Sequence, residues 1–284
     1  MQQRKNTHIL FIIAWVWFLV GFVKKNTKKL ANYKNDDFYN NRFSAFFYNV
    51  IIDAQPSCGI NPIITTSAGD TINATNNLTH RDGSISGKFA VKNNLIIEST
   101  ADEGIGSITV DGTGTQVYSV LPGSQRTCAL IINKTVGVFE PEIGTTDLPV
   151  TLFTLQNGDF YAPPGNMDIG GNWTSNQTLF NHVAGNYFHN NGTLLIHPNQ
   201  NSCILRTFTI NVLPSTEFYN VNVSATTICA INPNIATPAG DTINASNDLT
   251  LTDGSISGKF AVKNNLIITG TADAGTGLIA FNGT

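Results

Sequence analysis

Residues 47–113 and 218–284 are two copies of one segment, and they align at an offset of 171 without a gap. Of the 67 aligned positions, 45 are identical. Phe47-Tyr-Asn-Val50 falls on Phe218-Tyr-Asn-Val221, and Cys58 falls on Cys229. The run DGSISGKFAVKNNLII at 82–97 recurs unchanged at 253–268. Duplication over that length means an array, a solenoid or a propeller, so the period has to be read before the fold. Upstream of Phe47 the likeness stops abruptly. At the other end the second copy reaches Asn282-Gly-Thr284, where the first continues as Gly114-Thr-Gln-Val-Tyr-Ser119. The expected division is an N-terminal segment 1–46, a first unit 47–217 and a second, truncated unit 218–284, with further units in a longer natural protein.

Each unit has a finer grain. Ile243, Ala245, Leu249, Leu251 and Ile256 alternate with polar residues, and Asn, Asp and Gly punctuate the short runs. Alternation with period two means strands with one buried face. Strand-plus-turn segments every ten or so residues suit a sandwich, a barrel or a β-solenoid. The reading favoured here is an all-β parallel β-helix, in which one coil takes roughly 20 residues and strands stack about 4.8 Å apart. Tandem β-sandwiches, two per unit, are the alternative, kept open by the Pro-bearing stretch 139–151 and the aromatic middle.

Charged residues are only 12% of the chain. They are also unevenly placed. Residues 1–46 carry eight Lys or Arg against Asp36 and Asp37, which leaves the remainder acidic. An acidic, Lys-poor body argues against nucleic acid as a partner, since phosphates need a basic stripe. Within the first segment, the uncharged run from Ile9 to Val23 reads as a hydrophobic helix, either a signal-peptide core or a membrane anchor. Lys24, Lys25, Lys28 and Lys29 follow it at once. The expected location is therefore extracellular or cell-surface, with membrane contact only through Ile9–Val23.

Gly171-Asn-Trp-Thr-Ser-Asn-Gln-Thr-Leu-Phe-Asn181, Phe188-His-Asn-Asn-Gly-Thr-Leu-Leu-Ile196 and Glu217-Phe-Tyr-Asn-Val-Asn-Val223 together form a pattern. It resembles the repeats of bacterial extracellular adhesin-like proteins, whose segments read GNWTNNGTF, HNNGTV and FYNLTI. The resemblance spans roughly residues 47–284 and implies a surface-exposed or secreted solenoid. That family pattern offers no catalytic motif to transfer, and the four cysteines and the N-terminus depart from it.

The candidate chemistry is sparse. Cys58, Cys128, Cys203 and Cys229 contain no C-x-x-C, which argues against zinc. Cys203 and Cys229 lie 26 residues apart, near one coil's length, and form the candidate disulfide. The competing reading is buried thiols acting as small apolar residues. His182, His189 and His197 are spaced by seven and eight, wrong for metal ligands on one strand, so they read as turn-side residues. Asp70, Asp82, Asp241 and Asp253 occur in both copies, and Asp-Gly turn chemistry explains them better than catalysis. Trp173 and Tyr187 are candidate glycan contacts, set against core stacking of the aromatics. No catalytic residue, cofactor or metal is expected. The expected role is structural or adhesive, with glycans or other surface proteins as partners. The rival is the scaffold of a polysaccharide-active β-helix enzyme.

Overall fold

A computed structural model describes residues 44–54, 62–229 and 231–283. The hydrophobic helix expected at Ile9–Val23, and Cys58, lie outside the described residues. Among the described residues the fold is all-β, with no helix and therefore none long and apolar enough to cross a membrane. The strands form one large sheet of sixteen, one of seven and one of four. Every strand pairing is parallel. The antiparallel ladders that a sandwich requires are missing among the described residues, which removes the tandem-sandwich alternative there. Long parallel sheets are compatible with a β-helix.

The register shows how the chain returns to itself. Leu78 pairs with Leu95, a return of 17 residues. Thr193 pairs with Asn220, a return of 27, and Gln177 with Phe208, a return of 31. The spare length goes into the turns while the paired strands stay stacked. Apolar side chains therefore fall on apolar side chains. Ile72, Phe89, Ile108, Leu130, Phe153 and Phe180 are successive partners in one column. The second copy begins the same column with Ile243, Phe260 and Ile279. Burial follows the pleat: along Thr193–Gln200 the side chains alternate half-buried and buried. Each large aliphatic or aromatic residue so buried stabilises by roughly 1.5–3 kcal/mol.

Turns between strands are held by amide stacks. Asn76 Nδ2 donates to Asn49 Oδ1 at 3.0 Å and Asn93 Nδ2 to Asn76 Oδ1 at 2.9 Å. The second copy repeats this with Asn247 to Asn220 at 2.8 Å and Asn264 to Asn247 at 3.0 Å. Its Asp-Gly corners also match the first. Gly83 has φ +86° and Gly254 +84°, and each donates its N–H to the preceding Asp Oδ1 at 2.8 Å. Only glycine takes that φ without steric cost, which is why the dipeptide stands at both corners. In the unduplicated stretch the core turns aromatic. Phe160 contacts Tyr118, Phe139, Phe153 and Tyr187, with ring centroids 4.7–6.2 Å apart.

Candidate functional site

The stacked strands carry a polar cleft of about 480 Å³, lined from the first copy and from the stretch that follows it. Glu103 reaches it from just past strand Leu95–Asp102, Arg126 from the turn before strand Ala129–Pro141, and Asp168 and Asn172 from strand Asn166–Trp173. These residues are far apart in sequence. Parallel returns of unequal length bring them together.

The centre of the cleft is an ion pair. Arg126 Nη2 donates to Asp168 Oδ1 at 2.7 Å and Oδ2 at 2.8 Å. The same nitrogen lies 2.9 Å from His197 Nδ1. Both Arg126 and Asp168 are mostly shielded from solvent, so this charge-assisted contact is stronger than a surface pair. On the next position along the face, Asn172 Nδ2 donates to Glu103 Oε1 at 2.6 Å, and Asn199 Nδ2 to Asn172 Oδ1 at 2.7 Å. Gly171 lies beside this contact with φ +131°, and a Cβ there would stand 3.2 Å from Glu103 Oε2. Arg126 Nε, Thr151 Oγ1 and Trp173 Nε1 are buried without a hydrogen-bond partner in the same neighbourhood. Unpaired buried polar atoms are uncommon, and each calls for a physical account.

The residues singled out from sequence separate. Trp173 is half-buried beside the cleft, its indole N–H unpartnered. Tyr187 sits in the core stack instead, 5.8 Å from the Phe160 ring, 5.7 Å from Phe180 and 5.1 Å from Phe218. Its hydroxyl faces Met167 Sδ, and burial pushes its pKa up. Those neighbours hold it as a partly buried ring packed against the core. Phe180 and Phe218 are buried, while Phe188 stacks on Tyr161 at the surface, centroids 4.4 Å apart. Cys203 and Cys229 are joined by a disulfide, Cα atoms 5.3 Å apart, and Cys128 is a buried free thiol with its pKa pushed up to about 12 by burial.

The histidines are not all turn-side. His182 is buried, with Nδ1 2.7 Å from Thr216 Oγ1 and Nε2 3.2 Å from the Gly185 carbonyl. His80 repeats that arrangement with Thr127 Oγ1 and the Gly83 carbonyl, both at 2.7 Å. Each ring ties a glycine three residues on to a hydroxyl on another part of the stack, and burial lowers both pKa values. His189 lies near Tyr219, and His197 belongs to the cleft. The aspartates of the repeat are turn elements: Asp82 and Asp253 accept from the next glycine, and Asp241 Oδ2 accepts from Val212 N at 3.1 Å.

Sequence reasoning missed Glu103, Arg126 and Asp168, and read His197 as a turn-side residue. No motif links them. The available signal was indirect: in a chain so poor in charge, Arg126 and Asp168 in the unduplicated stretch, and Glu103, matched by Ala274 in the second copy, are conspicuous. Comparison of the chain with family models, curated proteins and solved structures finds no match.

Proposed function

We propose that residues 47–284 are a β-solenoid segment of a cell-surface or secreted protein, with a structural and adhesive role, and that the cleft around Arg126 and Asp168 receives a glycan. The observation that carries the reading is the uninterrupted parallel stacking of short strands with Asn and Thr at the turns. A stack of that kind gains its stability from neighbour on neighbour and makes a stiff scaffold. The cleft supplies a planar guanidinium, carboxylates and amides, with the Trp173 indole close by, a donor–acceptor set that suits sugar hydroxyls. The Cys203–Cys229 disulfide supports an oxidising compartment. Ile9–Val23 would provide the export signal or anchor, and fractionation of the host into soluble, membrane and secreted pools tests that part.

The test of binding is a glycan array probed with the whole chain, followed by titration of each hit against the Asp168→Ala and Trp173→Ala variants. Binding that both variants weaken at least tenfold is the expected result. No hit on the array removes the adhesive half of the proposal.

A second reading, polysaccharide cleavage, draws on Asp102, Glu103 and Asp168, which line the same cleft. Asp168 is held by Arg126 and Glu103 accepts from Asn172, so both carboxylates are engaged as anchors, which favours binding over cleavage. New reducing ends released from a polysaccharide by the chain, and lost in Asp168→Asn, would reverse that preference.

A further inference from the structure

Lys134 has no solvent exposure, an unusual position for a lysine. It follows Ile132 and Asn133 where strand Ala129–Pro141 breaks register with its neighbour. Its Nζ lies 2.8 Å from the carbonyl oxygens of Gly112 and Gly114 and 2.5 Å from Gln116 Oε1. Gln116 is itself buried. Its Oε1 also accepts the Gly112 backbone N–H at 2.8 Å, and its Nε2 donates to the carbonyls of Val91 and Asn93. Asp111, next to Gly112, holds Lys92 through Oδ2 at 2.6 Å, while its Oδ1 is buried without a partner. Burial lowers the Lys134 ammonium pKa to about 8, against the opposing pull of the Asp111 charge.

A buried amine thus touches a carboxamide whose oxygen is already polarised by a backbone N–H. We propose that Lys134 and Gln116 join spontaneously in a covalent side-chain amide. Neutral Lys134 Nζ attacks Gln116 Cδ and a carbon–nitrogen bond forms. The Gly112 N–H supports the charge that develops on Oε1, as a donor aimed at an oxyanion does. The proton lost by the attacking nitrogen passes to the departing Nε2. The Cδ–Nε2 bond breaks and ammonia leaves. No oxidant, metal or cofactor enters the balance. Amine and amide are held together by the fold, which replaces an unfavourable bimolecular encounter. The product ties two successive returns of the chain through their interior, a permanent brace in a molecule proposed to act as a rod.

Gln200 is a built-in control. It is equally buried, with Nε2 donating to the Ser202 carbonyl at 2.9 Å and the Ile231 carbonyl at 3.0 Å and Oε1 accepting from Arg206 N at 2.9 Å, but no amine reaches it.

Intact-mass spectrometry of the whole chain, followed by peptide mapping, is the test. The expected result is a mass lower by one ammonia and a cross-linked peptide pair containing residues 116 and 134, with Gln200 unchanged. Lys134→Met and Gln116→Leu should each restore the full mass. Wild-type protein that retains every ammonia after incubation at about pH 9, where the amine is largely neutral, overturns the proposal. So does an ammonia loss that maps to an Asn-Gly peptide with no cross-linked pair. Both of these readouts come from the wild-type chain, so the proposal stands or falls even if a variant fails to fold.

Discussion

The two copies of the repeat and the stretch between them are built on the same parallel register but filled differently. In the copies the column residues Ile72, Phe89 and Ile108 match Ile243, Phe260 and Ile279, and the amide stacks and Asp-Gly corners coincide. The stretch between them holds the aromatic chain from Tyr118 to Tyr187 and the buried Lys134, and the cleft runs from Ser84 and Glu103 of the first copy into that stretch. Duplicated sequence supplies spacing and corners. Most of the singular chemistry sits where the sequence occurs once. The copies also differ inside the repeat: His80, tied to Thr127, is matched by Leu251, a buried hydrocarbon side chain.

If the aromatic middle is the more tightly packed part, Phe160→Ala should cost about 3–5 kcal/mol, while Ile243→Val in the second copy costs about 0.5–1.5 kcal/mol. Denaturant unfolding measures both, and equal losses would erase the distinction. Next in size is Cys203→Ser, expected to cost about 2–4 kcal/mol under oxidising conditions and nothing further once the parent is reduced. Gly83→Ala and Gly254→Ala should each cost about 1–3 kcal/mol, since both sites need positive φ. Their new Cβ atoms would meet Ala54 Cβ at 2.8 Å and Ala225 Cβ at 2.7 Å. Unequal costs would show that the two corners are not equivalent in energy.

The smallest effect is in the pH profile. His80 and His182 have folded pKa values below the ordinary 6.5, so the unfolded chain takes up protons first as pH falls. Stability is complete above 6.5 and declines as pH drops toward the lower folded values, with no further loss from these groups below them. The slope should shrink in His80→Leu, which copies the second unit, even though Thr127 Oγ1 then loses its partner. A slope unchanged by that variant would place the acid sensitivity elsewhere.

Much of the architecture is legible in the residues. Alternation such as Ile243, Ala245, Leu249 and Leu251 marks strands with one buried face, and the duplicated Asp-Gly fixes the corners. The all-β character follows from those two signals. Trp173 stands out by its size, and it borders the cleft. Tyr187 looks the same from sequence and is core, because a ring's exposure depends on the neighbouring return and not on its own segment. Glu103, Arg126 and Asp168 meet only because the chain returns after unequal lengths, and no local spacing encodes that sum. Lys134 is hidden for the same reason: Asn-Lys-Thr reads as surface until the carbonyls of residues 112 and 114 are laid against it.

The side-chain amides have a consequence beyond holding turns. In every pair described, the later asparagine gives its hydrogen and the earlier one receives it, from Asn76 to Asn49 through Asn264 to Asn247. The stack is therefore vectorial: one extremity offers N–H, the other offers oxygen. A strand layer added with the wrong heading would set like against like. The asparagines thereby act as a compass, giving growth or pairing of such layers a preferred sense that the hydrocarbon interior, indifferent to direction, cannot supply.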